Sequence, residues 1–293
     1  MSALRPPPQY APLTRAQEVT RGVLVMLLVA SVGFLVNLVA YSPLHHAVKQ
    51  QQLFDEFRHQ LAEGTAPVSE GTFEDVLLAD GAPVARIQIP ALGVDEIIVE
   101  GTSSGILMDG PGHRRDSVLP GQRGVSIVMG RMNAYGGPFN RLQELAPGES
   151  IRVITGQGEH IFRVLGTRYE GDLAPRFTSG QARLQLVTAR GLPYMPSGLV
   201  RVDADLVTEV QDPGLRQTGP LALPKPHQAL QGDSSTVWAL VFALQFLLVA
   251  ESGVAFMWRR AGRAKMWIVA VPTLLLAGLL VADQVTKLLP NLV

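Results

Sequence analysis

Three long apolar runs constrain this chain more than any other feature. Residues Gly22–Tyr41 carry no charge and one polar amide, Asn37, over about twenty positions. At about 1.5 Å of rise per residue, a helix of that length crosses a hydrocarbon layer about 30 Å thick. The run exceeds the apolar stretch of a cleaved leader, and no Ala-x-Ala site follows it, so it reads as a retained anchor. A second run covers 237–258, and a shorter third one covers 266–282.

Charge sets the expected orientation. The connector between the second and third runs, 259–265, holds Arg259, Arg260, Arg263 and Lys265. Basic loops stay in the cytoplasm, and Arg5, Arg15 and Arg21 ahead of the first run agree with that side. Residues 42–236 are then expected outside, with Trp238, Trp258 and Trp267 at the membrane interfaces. The expected map is a cytoplasmic tail (1–21), a first span (22–41) and a stalk helix with linker (42–82). A β domain (83–207) and a Pro/Gly-rich tether (208–236) follow. The chain then makes a second span (237–258), a basic cytoplasmic loop (259–265), a third span (266–282) and an outer tail (283–293).

Two carboxylates fall in or beside the C-terminal spans. Glu251 is intramembrane and is a functional candidate by that position alone. The plainer reading pairs it with Gln245 or a small-residue helix contact, and lets Asp283 reach the headgroups. A single carboxylate without partners in series makes no ion pathway.

Outside the membrane, Leu53, Phe54, Phe57 and Leu61 recur at helical spacing until Gly64 stops the run. Residues 65–82 read as a linker whose apolar patch, 76–78, docks on the domain. From Pro83 the pattern changes to short β segments at 84–89, 97–100, 125–129, 150–155, 159–169, 183–188 and 199–206, separated by Gly, Pro and Asn. Seven or eight such strands imply a closed or nearly closed β-barrel. Residues 208–236 show no apolar period and read as a flexible tether.

Composition removes several functions. With 25 basic and 25 acidic residues the formal charge is zero, so nothing points to a nucleic-acid partner. Cysteine is absent, which rules out disulfides, thiolate metal sites and cysteine nucleophiles. The histidines are scattered, and His45-His46 reads as a solvated pair near the membrane, so no metal or cofactor is expected.

Residues from about 85 to 206 resemble a sortase domain of the class E type found in Gram-positive actinobacteria. The resemblance rests on Ile89-Pro90-Ala91-Leu92-Gly93-Val94, Val99-Glu100-Gly101-Thr102, Gly110-Pro111-Gly112-His113, Leu119-Pro120-Gly121-Gln122, Tyr135-Gly136-Gly137-Pro138-Phe139, Leu142-Gln143-Glu144-Leu145 and Pro147-Gly148, in that order. It implies an all-β barrel of about eight strands with a groove for a sorting-signal peptide. It also implies a cysteine that attacks a threonyl–glycine bond, a histidine that moves protons and an arginine that steadies the oxyanion.

The residues that chemistry needs are replaced. The histidine belongs in a strand-ending Gly-His-Arg, and here Gly130 is followed by Arg131. The cysteine belongs after Leu-x-Leu-x-Thr, and here Ala189 follows Thr188. The arginine belongs before a Leu-Val pair, and here Gly198 stands there. Arg201 comes three positions later, facing away from Gly198 in a regular strand. Thr188 and Ser197 are the nearby hydroxyls, but neither has an evident base. Tyr135 and Thr188 are expected to line the degenerate groove.

Three functional readings follow. The first is a catalytically degenerate sortase-like protein that binds a cell-surface or envelope protein or a sorting-signal-like peptide. In it Arg131 either offers a cation to a peptide carboxylate or is a solvated side chain filling vacated space. The second is a structural subunit of an envelope assembly held through its spans, with Ala250, Ser252, Gly253, Ala255 and Ala277-Gly278 as small-residue contacts. The third is an active but non-standard transpeptidase or hydrolase.

Overall fold

The computed structural model describes residues 14–71, 76–214, 218–261 and 263–293. The proline-rich start, part of the linker and of the tether, and Gly262 of the basic connector lie outside the described residues. The chain divides into two compact units, one of 1–36 with 239–283 and one of 37–238 with 284–293.

Three helices of the chain are long and apolar enough to cross a membrane. They are α1 (Arg15–Val36), α3 (Val237–Ala261) and α4 (Arg263–Leu288). α1 and α4 meet where both lack a side chain. A Cβ built on Gly33 would lie 2.5 Å from the main-chain carbon of Gly278, closer than real side chains come. Ala277 is also fully buried, so Ala277-Gly278 serves a contact inside this chain rather than the partner surface expected of it. Ser252, Gly253 and Ala255 of α3 remain exposed.

The second unit begins with a π-helical segment, Asn37–Tyr41, that runs into α2 (Ser42–Glu63). Gly64 ends α2 in the left-handed conformation, φ 69°, as the sequence indicated. α2 is more than a stalk. Leu53 and Phe57, one turn apart, pack on Ile97, Val99 and Ala66. Gln50 accepts the Ile97 amide at 2.6 Å and donates to the Asp109 carbonyl at 2.7 Å. His45 meets Asp109 at 2.9 Å and His46 meets Glu96 at 3.0 Å, so the expected solvated histidine pair is instead tied to the barrel.

The barrel has eight strands: β1 (Pro83–Ile89), β2 (Val94–Glu100), β3 (Gly112–His113), β4 (Gly124–Met129), β5 (Ser150–Thr155), β6 (Gly158–Tyr169), β7 (Ala182–Leu192) and β8 (Met195–Leu206). They close in the order β1-β2-β3-β4-β7-β8-β6-β5. The pairs β2–β3 and β4–β7 are parallel, and the others are antiparallel. Alternation builds the core: Ala85, Ile87 and Ile89 of β1 point inward with Ile151 and Val153 of β5 and Val202 and Ala204 of β8. Arg86, between them, turns outward to Asp95. β3 had no sequence signal, because two residues cannot display a period.

The described parts of 208–236, residues 208–214 and 218–236, do not behave as a loose tether. The Gln211 amide donates to Gly121 and its carbonyl accepts from Arg123, both at 2.9 Å. The Thr218 amide donates to the Glu70 carboxylate at 3.0 Å. His227 accepts the Thr102 amide at Nδ1, 3.0 Å, and its carbonyl accepts the Thr102 hydroxyl at 2.6 Å. Polar main-chain contacts of this kind leave no apolar period, which is why the segment read as flexible. Of the linker patch 76–78, Leu78 packs on the core while Val76 and Leu77 stay exposed.

Candidate functional site

β4 and β7 run side by side in the same direction, pairing Met129 with Val187. The Gly130 amide continues that ladder to the Val187 carbonyl at 3.0 Å, and the Thr188 hydroxyl donates to the Gly130 carbonyl at 2.9 Å. Positions 131 and 189, far apart in sequence, are thereby set at one end of the same strand pair. Ala189 is buried in an apolar cluster with Val187, Met129 and Leu107, against which Met132 and Leu199 pack.

Arg131 is fully buried, so it is not the solvated side chain that was one of its two readings. Its Nη2 donates to the Ser104 carbonyl at 2.8 Å and to the Ser104 hydroxyl at 2.9 Å, and its Nη1 donates to the Val293 carbonyl. The Tyr135 ring centroid lies 5.4 Å from its guanidinium carbon. No carboxylate side chain lies within ion-pair distance of it among the described residues. Burial pushes its pKa down to about 10, which leaves it a cation at neutral pH. Tyr135 is buried too, with its amide donating to the Ser42 hydroxyl, so it supports the site from behind α2.

The register corrects one expectation. Across β7 and β8, Ala189 pairs with Leu199, Val187 with Arg201, and Arg190 with Gly198. Directly paired residues share a face. Gly198 is therefore on the opposite face from Ala189, and Arg201, which faces away from Gly198 as expected, is for that reason on Ala189's face, two pairs along. The structure brings Arg131, Ala189 and Thr188 together and leaves Gly198 out.

The hydroxyls are committed elsewhere. Thr188 donates to Gly130, and Ser197 donates to the Arg190 carbonyl at 3.3 Å. No histidine or carboxylate bonds either of them among the described residues. A Ser–His–Glu line does run from the segment after β3 to the end of β2: the Ser117 hydroxyl lies 3.1 Å from His113 Nε2, and His113 Nδ1 lies 2.9 Å from Glu100. It is not a base relay. Nε2 also faces the Val118 carbonyl at 2.9 Å and Nδ1 faces the Glu100 carboxylate, so acceptors stand at both ring nitrogens. Ser117 in turn donates to the Arg114 carbonyl and accepts the Ile127 amide. No group of His, Asp or Glu able to hold a metal is found among the described residues.

What fills the groove was not visible in sequence. The segment after α4 enters it: Leu292 is fully buried in the Ala189 cluster, and its carbonyl accepts the Met132 amide at 2.9 Å. The open space left beside Ala189 is a cavity of about 40 Å³ between Met132, Phe139 and Thr188.

A family model described as Sortase domain matches residues 87–202. Among curated proteins, Sortase D of Bacillus subtilis (strain 168) is 30% identical over 82 residues, which are 28% of this chain and 40% of that protein. The chain thus spans about two fifths of that relative's length. Among solved structures, sortase E from Streptomyces avermitilis is 26% identical, covering 45% of this chain and 91% of that one with a TM-score of 0.39. The sortase D5 transpeptidase of Clostridium perfringens is 18% identical, covering 55% and 99%, with a TM-score of 0.45.

Proposed function

Because residues 87–202 form a sortase domain, we propose that this protein is a membrane-anchored, non-catalytic sortase of the actinobacterial, Gram-positive class E type. It works as a binding or scaffold module for a cell-surface or envelope protein, or for a sorting-signal-like peptide. What supports this is the pair Arg131 and Ala189, set at one end of the β4–β7 pair, which the sequence resemblance aligns with the family's histidine and cysteine. Alanine supplies no nucleophile. A guanidinium cannot exchange protons near neutrality. Arg131 is also engaged with Ser104 and Val293 rather than free to face a substrate.

The protein is a multi-pass one of the plasma membrane in this reading, with the barrel outside. The basic connector 259–265 and the arginines before the first span support that orientation. The experiment is direct: incubate the unmodified full chain with a labelled sorting-signal peptide and an amine acceptor, and analyse by mass spectrometry. The expected result is neither cleavage nor transfer. Turnover that disappears on Thr188→Val or Ser197→Ala would reveal a replacement nucleophile and end the reading.

A further inference from the structure

The groove has an occupant, and it belongs to this chain. We propose that Asn291–Leu292–Val293 is the resident peptide ligand of the sortase-type groove, bound in cis, and that it governs whether any external peptide can enter. The inference rests on the non-catalytic reading of that groove and adds the ligand's chemistry and the way access is controlled.

Three recognition elements carry it. The Asn291 carboxamide donates from Nδ2 to the Thr102 carbonyl at 2.7 Å and to the Gln228 carbonyl at 2.9 Å, with the Pro226 carbonyl at 3.4 Å. Those groups are all acceptors, so the subsite takes a side chain with an N–H and rejects an isosteric carboxylate. Leu292 fills the apolar subsite formed by Leu107, Met129, Val187 and Ala189 and closed over by Ala229 and Leu230. Adjacent residues at the end of β4 then hold successive carbonyls: the Met132 amide takes that of Leu292, and the Arg131 guanidinium takes that of Val293.

The ligand is presented as a turn. The Val293 amide donates to the Pro290 carbonyl at 3.2 Å, and the Asn291 amide donates to Gln231 at 2.9 Å. Asn291, Leu292 and Val293 are all at least 97% buried. A buried arginine with no carboxylate side chain in ion-pair distance among the described residues, and a leucine in one apolar cluster with an alanine, are both accounted for by this occupant. The alanine leaves the volume that Leu292 uses, and the arginine offers the charge that a main-chain oxygen accepts.

The absence of cysteine gives a clean assay. In the full chain in detergent micelles, Ala189→Cys creates a single thiol beneath Leu292, and its alkylation by N-ethylmaleimide reports whether the segment is seated. Alkylation is expected to be slow. Adding Asn291→Asp, or separately Leu292→Ala, should accelerate it at least tenfold, because both changes act on the ligand and leave the barrel residues intact. Millimolar peptide Lys-Leu-Leu-Pro-Asn-Leu-Val should slow it again, and the same peptide with Asp for Asn should not. Equal rates with and without both tail substitutions would overturn the inference, as would acceleration that the Asn peptide fails to reverse. Protection lost on diluting the protein would assign the ligand to a second copy and overturn binding in cis. None of these results bears on peptide turnover by the unmodified chain, so the non-catalytic reading fails or stands separately.

Discussion

The guanidinium of Arg131 donates to the carbonyl of Val293, joining the end of β4 to a segment 162 positions later in the chain. Replacing it by methionine leaves the Val293 and Ser104 carbonyls without their donor. An unsatisfied buried acceptor costs about 1–3 kcal/mol, so local opening becomes about 5- to 150-fold more frequent. Amide hydrogen exchange at Asn291 and Val293 should accelerate by that factor in Arg131→Met, while the β1 and β5 amides keep their protection. Unchanged exchange at the tail would show that this bond holds nothing in place.

On the proposed non-catalytic reading, introducing a thiol at 189 should not introduce chemistry. Ala189→Cys alone is expected to give no transpeptidation product by mass spectrometry, since Arg131 still stands where a proton-transfer group is needed. Adding Arg131→His with Gly198→Arg should also fail, because position 198 faces away from 189. Leu199→Arg, which puts the cation directly across from 189, is the better third change. Product from the first variant would mean that one residue separates this protein from an active enzyme.

The contact between Gly33 and Gly278 leaves no room for a side chain. Gly33→Leu is expected to lower stability in detergent by about 1–3 kcal/mol, the usual cost of overpacking. At Gly253 a Cβ would meet no heavy atom within 4 Å, so Gly253→Leu should stay within about 0.5 kcal/mol of the parent. Denaturant titration followed by tryptophan fluorescence separates the two outcomes, and equal effects would refute the packing argument.

Acid should destabilise the barrel through two histidines. Burial holds the His227 and His160 rings below the ordinary histidine value near 6.5. Above that pH both rings are neutral in the folded and the unfolded chain, and they contribute no slope. As pH falls below about 6.5 the unfolded chain binds the protons first, so stability drops by at most about 1.4 kcal/mol per pH unit for each ring. Thermal unfolding between pH 8 and 5 should show this decline, and His227→Gln should reduce its slope. A slope that survives both His227→Gln and His160→Gln would place the acid sensitivity elsewhere.

Orientation is testable with the same cysteine-free background. Leu173→Cys, at a residue 93% exposed on the barrel unit, should react with an impermeant maleimide on intact cells. Gly262→Cys, in the basic connector, should react only after the membrane is opened. The reverse pattern would invert the topology drawn from the basic residues.

Local pattern carried much of this protein into view. Apolar runs of this length favour helices whatever the rest of the chain does: twenty uncharged residues precede α2, and the two C-terminal runs carry at most one charge, Glu251, so α1, α3 and α4 follow from the sequence. Strict alternation did the same for β1, β5 and β8, because a period of two is set by neighbouring residues alone. The identities of Arg131 and Ala189, and the lack of any cysteine, were equally plain, since residue identity needs no coordinates. Tertiary structure decided what those positions face. Only strand register shows that Leu199 and Arg201, not Gly198, share a face with Ala189, because the bulge between Arg190 and Gly191 cannot be read from periodicity. Only the folded chain shows residues 208–214 and 218–236 strapped down, since carbonyl-to-amide contacts such as Gln211 to Gly121 leave no mark on side-chain pattern. The burial of Leu292 and Ala189 in one apolar cluster is the extreme case: two apolar residues with no signal in their own windows meet because a parallel strand pair and the end of α4 deliver them to one groove.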